Sequence, residues 1–150
     1  MTAGRVEEIN IGPRYDELPE PVERVRARAG KGLVGNRYYF GDGAEPGRAL
    51  TLIAAEALEA MANEHGVEIT AAESRRNVLT RGVDLNALVG KRFRVGKVEC
   101  LGVELCEPCK SLESVTRPGV IKGLAHRGGL NADILSDGDI AVGDEVAAHG

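Results

Sequence analysis

Cys106-Glu107-Pro108-Cys109-Lys110 is the densest piece of chemistry in this sequence. A thiolate is the nucleophilic and metal-ligating form of cysteine, and at a pKa near ~8.5 only a small fraction is ionised at neutral pH. Pro108 suits the first turn of a helix. Such a turn, running to Glu113, would leave Cys109 at its amino end, where unpaired N–H groups favour an anion. Lys110 would add a full positive charge beside it and stabilise the thiolate. Cys109 is therefore the expected reactive thiol. Cys106, at the end of an extended run, is the expected resolving thiol, and Cys100, inside that run, the expected buried small apolar residue.

Three readings of the pair compete. Structural zinc asks for about four ligands, and the supply is three cysteines with His126 or His65; no second Cys-x-x-Cys exists. A thioredoxin-like dithiol switch asks for a strand–helix context in an α/β fold, which the flanking pattern does not offer. A single reactive or metal-ligating thiolate beside an anion site fits best, and a soft thiolate suits a soft metal or a bound sulfur. The anion site is expected at Arg75-Arg76-Asn77, three polar groups in a row that core packing does not explain. His126 precedes Arg127 and a glycine pair and could line a site, although a plain loop histidine is the more ordinary reading. His65 closes a helix and His149 sits on the tail. No Gly-x-Ser-x-Gly elbow, His-Glu-x-x-His motif or phosphate loop is present.

The elements that must position these groups are mostly short strands between glycine turns. Extended runs are predicted at Val6 to Ile11, Leu50 to Ile53 and Asn77 to Thr80, with an ordered glycine-rich loop over residues 30–43. Ala54 to His65 carries apolar residues at helical spacing and ends at Gly66. Thr70 and Glu73 have capping-box spacing for a helix from Ala71 towards Arg75. Asp84 is expected to cap another short helix, stopped by Gly90. Lys91 to Val95 and Val98 to Leu105 read as a hairpin around Gly96-Lys97. Pro118 is expected to open a helix ending near His126. Leu130 to Leu135 and Ile140 to Val146 read as a second hairpin through Ser136-Asp-Gly-Asp139. The fold class is mainly β, a small barrel with a few short helices.

The 150 residues include 20 glycines but only three tyrosines, two phenylalanines and no tryptophan. Few aromatics leave little surface for stacking bases. A formal charge of −4 lacks the basic footprint of a nucleic-acid binder. That small total averages over segregated runs: residues 73–97, which hold Arg75 and Arg76, are strongly basic, whereas residues 51–72 and 131–150 are acidic. No signal-peptide pattern and no membrane-length apolar run is seen. An odd number of cysteines then suggests free thiols in a reducing cytoplasm.

The order of motifs resembles the MOSC family, named for the carboxy-terminal domain of molybdenum-cofactor sulfurases. The matching residues are Leu33-Val-Gly35-Asn36-Arg37-Tyr38, Leu50-Thr-Leu-Ile53, Arg75-Arg76-Asn77, Asp84-Leu-x-x-Leu-x-Gly90, Glu107-Pro108-Cys109, Arg127-Gly128-Gly129 and Gly143-Asp144-Glu145-Val146. The whole chain, residues 1–150, looks like one stand-alone bacterial MOSC domain, without the desulfurase domain of eukaryotic sulfurases. The resemblance implies a β-barrel-like fold and binding of the molybdopterin form of the molybdenum cofactor; the family also carries a pyridoxal-phosphate label. It implies a cysteine that carries persulfide sulfur or ligates molybdenum, here Cys109. Arg75, Arg76 and Asn77 would face the cofactor's phosphate or pterin, with Arg37, His126 and Arg127 as further binding residues. A cysteine desulfurase or other sulfur donor, and a molybdoenzyme acceptor, are the implied partners; nucleic acid and membrane are not. The alternative role is a molybdenum-dependent reductase of N-hydroxylated compounds with separate electron-transfer partners. Position 36 is Asn where the family usually shows Asp, which keeps the geometry of that side chain but loses its charge.

Overall fold

Period-two alternation decides which residues of this chain fill its interior. The structure is a computed structural model and describes residues 3–14 and 16–148; Met1, Thr2, Tyr15, His149 and Gly150 lie outside the described residues. The strands are β1 (Gly4–Ile11), β2 (Glu20–Val22), β3 (Arg24–Arg28), β4 (Gly32–Leu33), β5 (Leu50–Ala54), β6 (Val78–Arg81), β7 (Arg92–Val95), β8 (Val98–Leu105), β9 (Leu130–Ile134), β10 (Gly138–Ala141) and β11 (Glu145–Ala148). The helices are α1 (Ala55–His65), α2 (Ala71–Ser74), α3 (Lys110–Val115) and α4 (Val120–Leu124), with a 3-10 turn at Leu85–Leu88.

Seven strands close into a barrel in the order β11-β7-β8-β9-β5-β6-β1, β1 pairing back to β11, while β2 extends the sheet from β1. Closure removes the exposed edges that an open sheet of this length would carry. The parallel pair of β5 with β6 is bridged by α1 and α2, as a parallel pair requires a crossover. Leu50 and Leu52 of β5, Leu130, Ala132 and Ile134 of β9, and Val98 and Cys100 of β8 join Val6, Phe93 and Val146 in the barrel core. Each fully buried large side chain there contributes about 1.5–3 kcal/mol. Ile53, on the other face of β5, packs with Met61, Leu112, Val120 and Leu124 beneath the helices. The intervening outward residues Thr51 and Asn131 are thereby left to line a space outside the barrel wall.

Local signals are realised where they are self-contained. Thr70 Oγ1 accepts from the Glu73 N–H at 3.1 Å, and the Glu73 carboxylate accepts from the Thr70 N–H at 2.9 Å, forming both arms of the capping box. Gly66 takes the left-handed conformation at the end of α1, which begins at Ala55 rather than Ala54. The β7–β8 hairpin forms as expected. Asp84 precedes the 3-10 turn but makes no side-chain cap.

Other expectations are corrected. The carboxy-terminal hairpin does not form: β9 pairs with β5 and β8, β10 pairs with β3, and β11 pairs with β7 and β1. The polar groups of the connecting segment reach other elements instead. Asp137 accepts from the Ala29 N–H at 2.7 Å, Ser136 Oγ accepts from the Glu99 N–H at 2.9 Å, and Asp139 pairs with Arg24 and Arg26. Strand β3, unread in the sequence, alternates charged outward residues with buried Val25 and Ala27; these small interior groups gave a weak apolar signal. Pro108 also stands outside the helix it was expected to open, because α3 starts at Lys110 with Cys109 as its N-cap.

Candidate functional site

A cavity of about 510 Å³ opens against the outer face of β5, β8 and β9. Its wall includes Thr51 from β5, Glu104 from the end of β8, Asn131 from β9, and Leu112 and Val115 from α3. The 36–48 loop adds Asn36, Arg37, Tyr38 and Arg48, and the turn after α2 adds Arg75, Arg76 and Asn77. Cys106 and Cys109 both line it. Four arginines against one carboxylate make the wall strongly basic in an acidic protein, so local charge, not net charge, decides what ligand it favours.

Arg75 adopts a left-handed backbone conformation, φ 63°, where α2 ends. This turn lets consecutive Arg75 and Arg76 both line the cavity, but their guanidiniums do different things. Arg75 reaches across to the Glu17 carbonyl at 3.0 Å. Arg76 is buried and donates to the carbonyls of Gly128 at 2.8 Å, Ser74 at 3.0 Å and Cys106 at 2.9 Å. Its planar fork thus holds the cysteine loop against the Gly128-Gly129 segment. The Cys106 N–H donates to the Gly129 carbonyl at 2.8 Å, fixing that loop from a second side.

The glycine pair explains why so close an approach is possible. A Cβ at Gly128 would stand 2.5 Å from the Cys106 carbonyl oxygen, and one at Gly129 would stand 2.2 Å from the Leu52 carbonyl oxygen. Gly129 also has φ 122°, a conformation that side chains resist. Glu107 clamps the loop at its other end. Its carboxylate accepts from the His126 N–H at 2.7 Å and lies 2.9 Å from His126 Nδ1. The His126 N–H, and then the imidazole, hold the Glu107 carboxyl below its ordinary pKa.

The three thiols are sorted by depth. Cys100 lies in the barrel core, and burial pushes its thiol up to about 12. Cys106 is half-buried, and burial also raises its thiol although the Arg76 charge opposes the shift. Cys109 is exposed, and its side chain does not cap α3.

Two cations lie over the Tyr38 ring, with the Arg37 guanidinium carbon 5.1 Å and that of Arg48 5.6 Å from its centre. Such stacking keeps guanidiniums in place, and Arg48 also pairs with Glu45 at 3.8 Å. Asn77 has a structural role on the wall: its Oδ1 accepts from the Thr51 N–H and hydroxyl at 3.1 Å, and its Nδ2 donates to the Asn10 carbonyl at 3.2 Å. Asn36 Oδ1 accepts from the Gly12 N–H at 3.1 Å. An Asp oxygen would accept the same bond, so Asn36 keeps the loop geometry and changes only the charge.

Three expected site residues are not brought to this cavity. His126 has φ 62° and a side chain 85% exposed, turned to Glu107. The Arg127 guanidinium donates to the Gly123 carbonyl and pairs with Glu64 of α1, lining a separate cleft. Lys110 opens α3 with an exposed side chain and does not join the wall. Conversely, Arg48, Glu104 and Ser111 were not singled out in the sequence. No motif marked Arg48, and Glu104 is brought to the wall at a register shift between β8 and β9.

A closed, mainly β barrel with a basic, thiol-bearing cavity on its outer wall defines the class to which the chain belongs. The MOSC domain model matches residues 35–147, so the chain belongs to the MOSC domain family, which is associated with the molybdenum cofactor. The YuaD protein of Bacillus subtilis has a similar structure, with a TM-score of 0.85 at 17% identity over 99% of this chain and 97% of that one. YiiM of Geobacillus stearothermophilus is similar with a TM-score of 0.73 at 17% identity, covering 98% of this chain and 75% of that one. YiiM of Escherichia coli is similar with a TM-score of 0.73 at 16% identity, covering 100% of this chain and 71% of that one. No curated protein matches the sequence significantly. No helix among the described residues is long and apolar enough to cross a membrane.

The residues present fit a phosphorylated pterin bearing a metal. The cavity falls within the ~300–1,000 Å³ common for cofactor sites, guanidiniums match phosphate oxygens, and a thiol is the ligand for a soft metal. Pyridoxal phosphate is commonly anchored as a lysine Schiff base, and among the described residues no lysine lines this cavity.

Proposed function

We propose that the chain binds the molybdopterin form of the molybdenum cofactor in the basic cavity and carries sulfur on Cys109 as a persulfide. One observation carries the reading: the exposed thiol of Cys109 lines the same cavity as four arginines. Arg37, Arg48 and Arg75 would hold the phosphate, while Arg76 keeps the cysteine loop in place. When bound, the cofactor would supply a redox-active molybdenum held by pterin sulfurs.

Loading needs no external oxidant. The Cys109 thiolate attacks the outer sulfur of a persulfide on a donor of the cysteine desulfurase class. A new S–S bond forms on Cys109, the donor S–S bond breaks, and the donor leaves as a thiolate. A molybdoenzyme would be the acceptor. Incubation with a cysteine desulfurase and cysteine should add the mass of one sulfur to the wild-type chain and none to Cys109→Ser. Wild type that neither gains sulfur nor releases sulfide, or equal loading of the variant, overturns the carrier role.

A second reading, molybdenum-dependent reduction of N-hydroxylated compounds with separate electron-transfer partners, is favoured by Glu104. It places on the cavity wall side-chain oxygens able to accept a hydrogen bond from the hydroxyl of such a compound. This reading requires molybdenum to co-purify from a host that makes the cofactor; its absence by metal analysis excludes it.

A further inference from the structure

We propose that Cys106 discharges the sulfur carried on Cys109, closing an intramolecular disulfide and freeing sulfide into the cavity. The chain would then act as a persulfide-dependent sulfide source, an inference that rests on the carrier reading above. Cys106 and Cys109 line one cavity, the first half-buried and the second exposed. Three residues of chain separate their α-carbons by at most ~10 Å, against the ~4.4–6.8 Å of a disulfide.

The surrounding contacts assign the two thiols unequal parts. Cys106 is fixed through its backbone N–H to Gly129 and through its carbonyl to Arg76. Gly128 packs so closely on its carbonyl that even a methyl group would collide. Cys109 lies beyond Pro108 at the exposed start of α3, its side chain uncommitted to the helix cap. Incoming sulfur therefore meets Cys109 first, and closure moves the exposed residue towards the held one. Cys100 takes no part, because it faces the barrel core.

The reaction balances within the loop. The Cys106 thiolate attacks Cys109 Sγ, the Cys109 Sγ–S bond breaks, and hydrosulfide leaves with its electron pair and takes up a proton. The two protein sulfurs end as a disulfide and the carried sulfur is reduced to sulfide. A small-molecule or protein dithiol returns the pair to thiols by exchange. Burial disfavours the Cys106 thiolate, so discharge is slow at neutral pH and accelerates as pH rises, leaving time for an acceptor to compete.

The experiment loads the full chain with a cysteine desulfurase and cysteine, removes both, and follows sulfide and non-reduced mass without added thiol. Wild type should release one sulfide per chain and become lighter than its dithiol form by two hydrogens, with Cys106 and Cys109 joined in one cross-linked peptide. Cys106→Ala and the near-isosteric Cys106→Ser should both keep the added sulfur, with release slowed about tenfold or more. Loaded wild type that holds its sulfur as long as Cys106→Ser, or releases sulfide without the cross-link, overturns this inference alone. Failure of Cys109 to load in any of these chains overturns the carrier reading and this inference with it.

Discussion

Arg76 and Arg48 line the same wall with opposite commitments. Arg76 donates to three carbonyls on three segments, so Arg76→Ala leaves buried acceptors unpaired. Urea unfolding should show a loss of about 2–4 kcal/mol. Arg48 is mostly exposed and stacks on Tyr38; Arg48→Ala should cost under about 0.5 kcal/mol yet weaken binding of a pterin phosphate measured by titration. Equal stability losses in the two variants would contradict this division. The thiols divide similarly by depth. Brief iodoacetamide treatment at neutral pH, read by peptide mapping, should modify Cys109 first and Cys106 slowly. Cys100 should react only after unfolding, because its thiol is both enclosed and held near a pKa of about 12.

The element that carries the chemistry is the 106–109 loop, and its order comes from neighbours on either side. Glu107 ties it to the turn at His126, and its folded pKa lies below the unfolded value of ~4.3. A depressed carboxyl contributes stability that is complete above the unfolded pKa and is lost as pH falls through the folded one. Thermal unfolding of wild type and Glu107→Gln should therefore differ at neutral pH, the difference shrinking as pH falls past the unfolded carboxyl value of ~4.3. A constant difference across that range would exclude the clamp. The capping box at Thr70 and Glu73 was legible in the sequence because it joins residues three apart. The Glu107–His126 clamp was not, because its partners are brought together only when α3 packs on α4 and α4 on α1.

For the whole molecule, charge is sorted by the fold. The basic residues at 37, 48, 75 and 76 come from separate stretches of an acidic chain and meet on one wall. Anion binding there should fall several-fold as salt is raised from low to physiological strength and beyond, since screening shortens to ~8 Å at 0.15 M. Affinity unchanged by salt in the same titration would show that the guanidiniums do not engage the ligand. The side of the barrel that bears the wall follows from alternation: Leu50 and Leu52 face inward, leaving Thr51 outside with Asn131 of the neighbouring strand.

By itself the sequence determined a mainly β chain of short strands, the helix ends at Gly66 and Thr70, the burial of Cys100, and Cys109 as the thiol to test. These follow from spacing within a few residues, from propensity, and from the order of motifs. Only the tertiary structure decided that Arg76 holds the cysteine loop, that Arg48 joins the wall, and that His126, Arg127 and Lys110 stand outside it. It also decided that β10 leaves its expected hairpin for β3. Each of these depends on which distant carbonyls, carboxylates and strand edges come within hydrogen-bonding reach, and barrel closure fixes those distances.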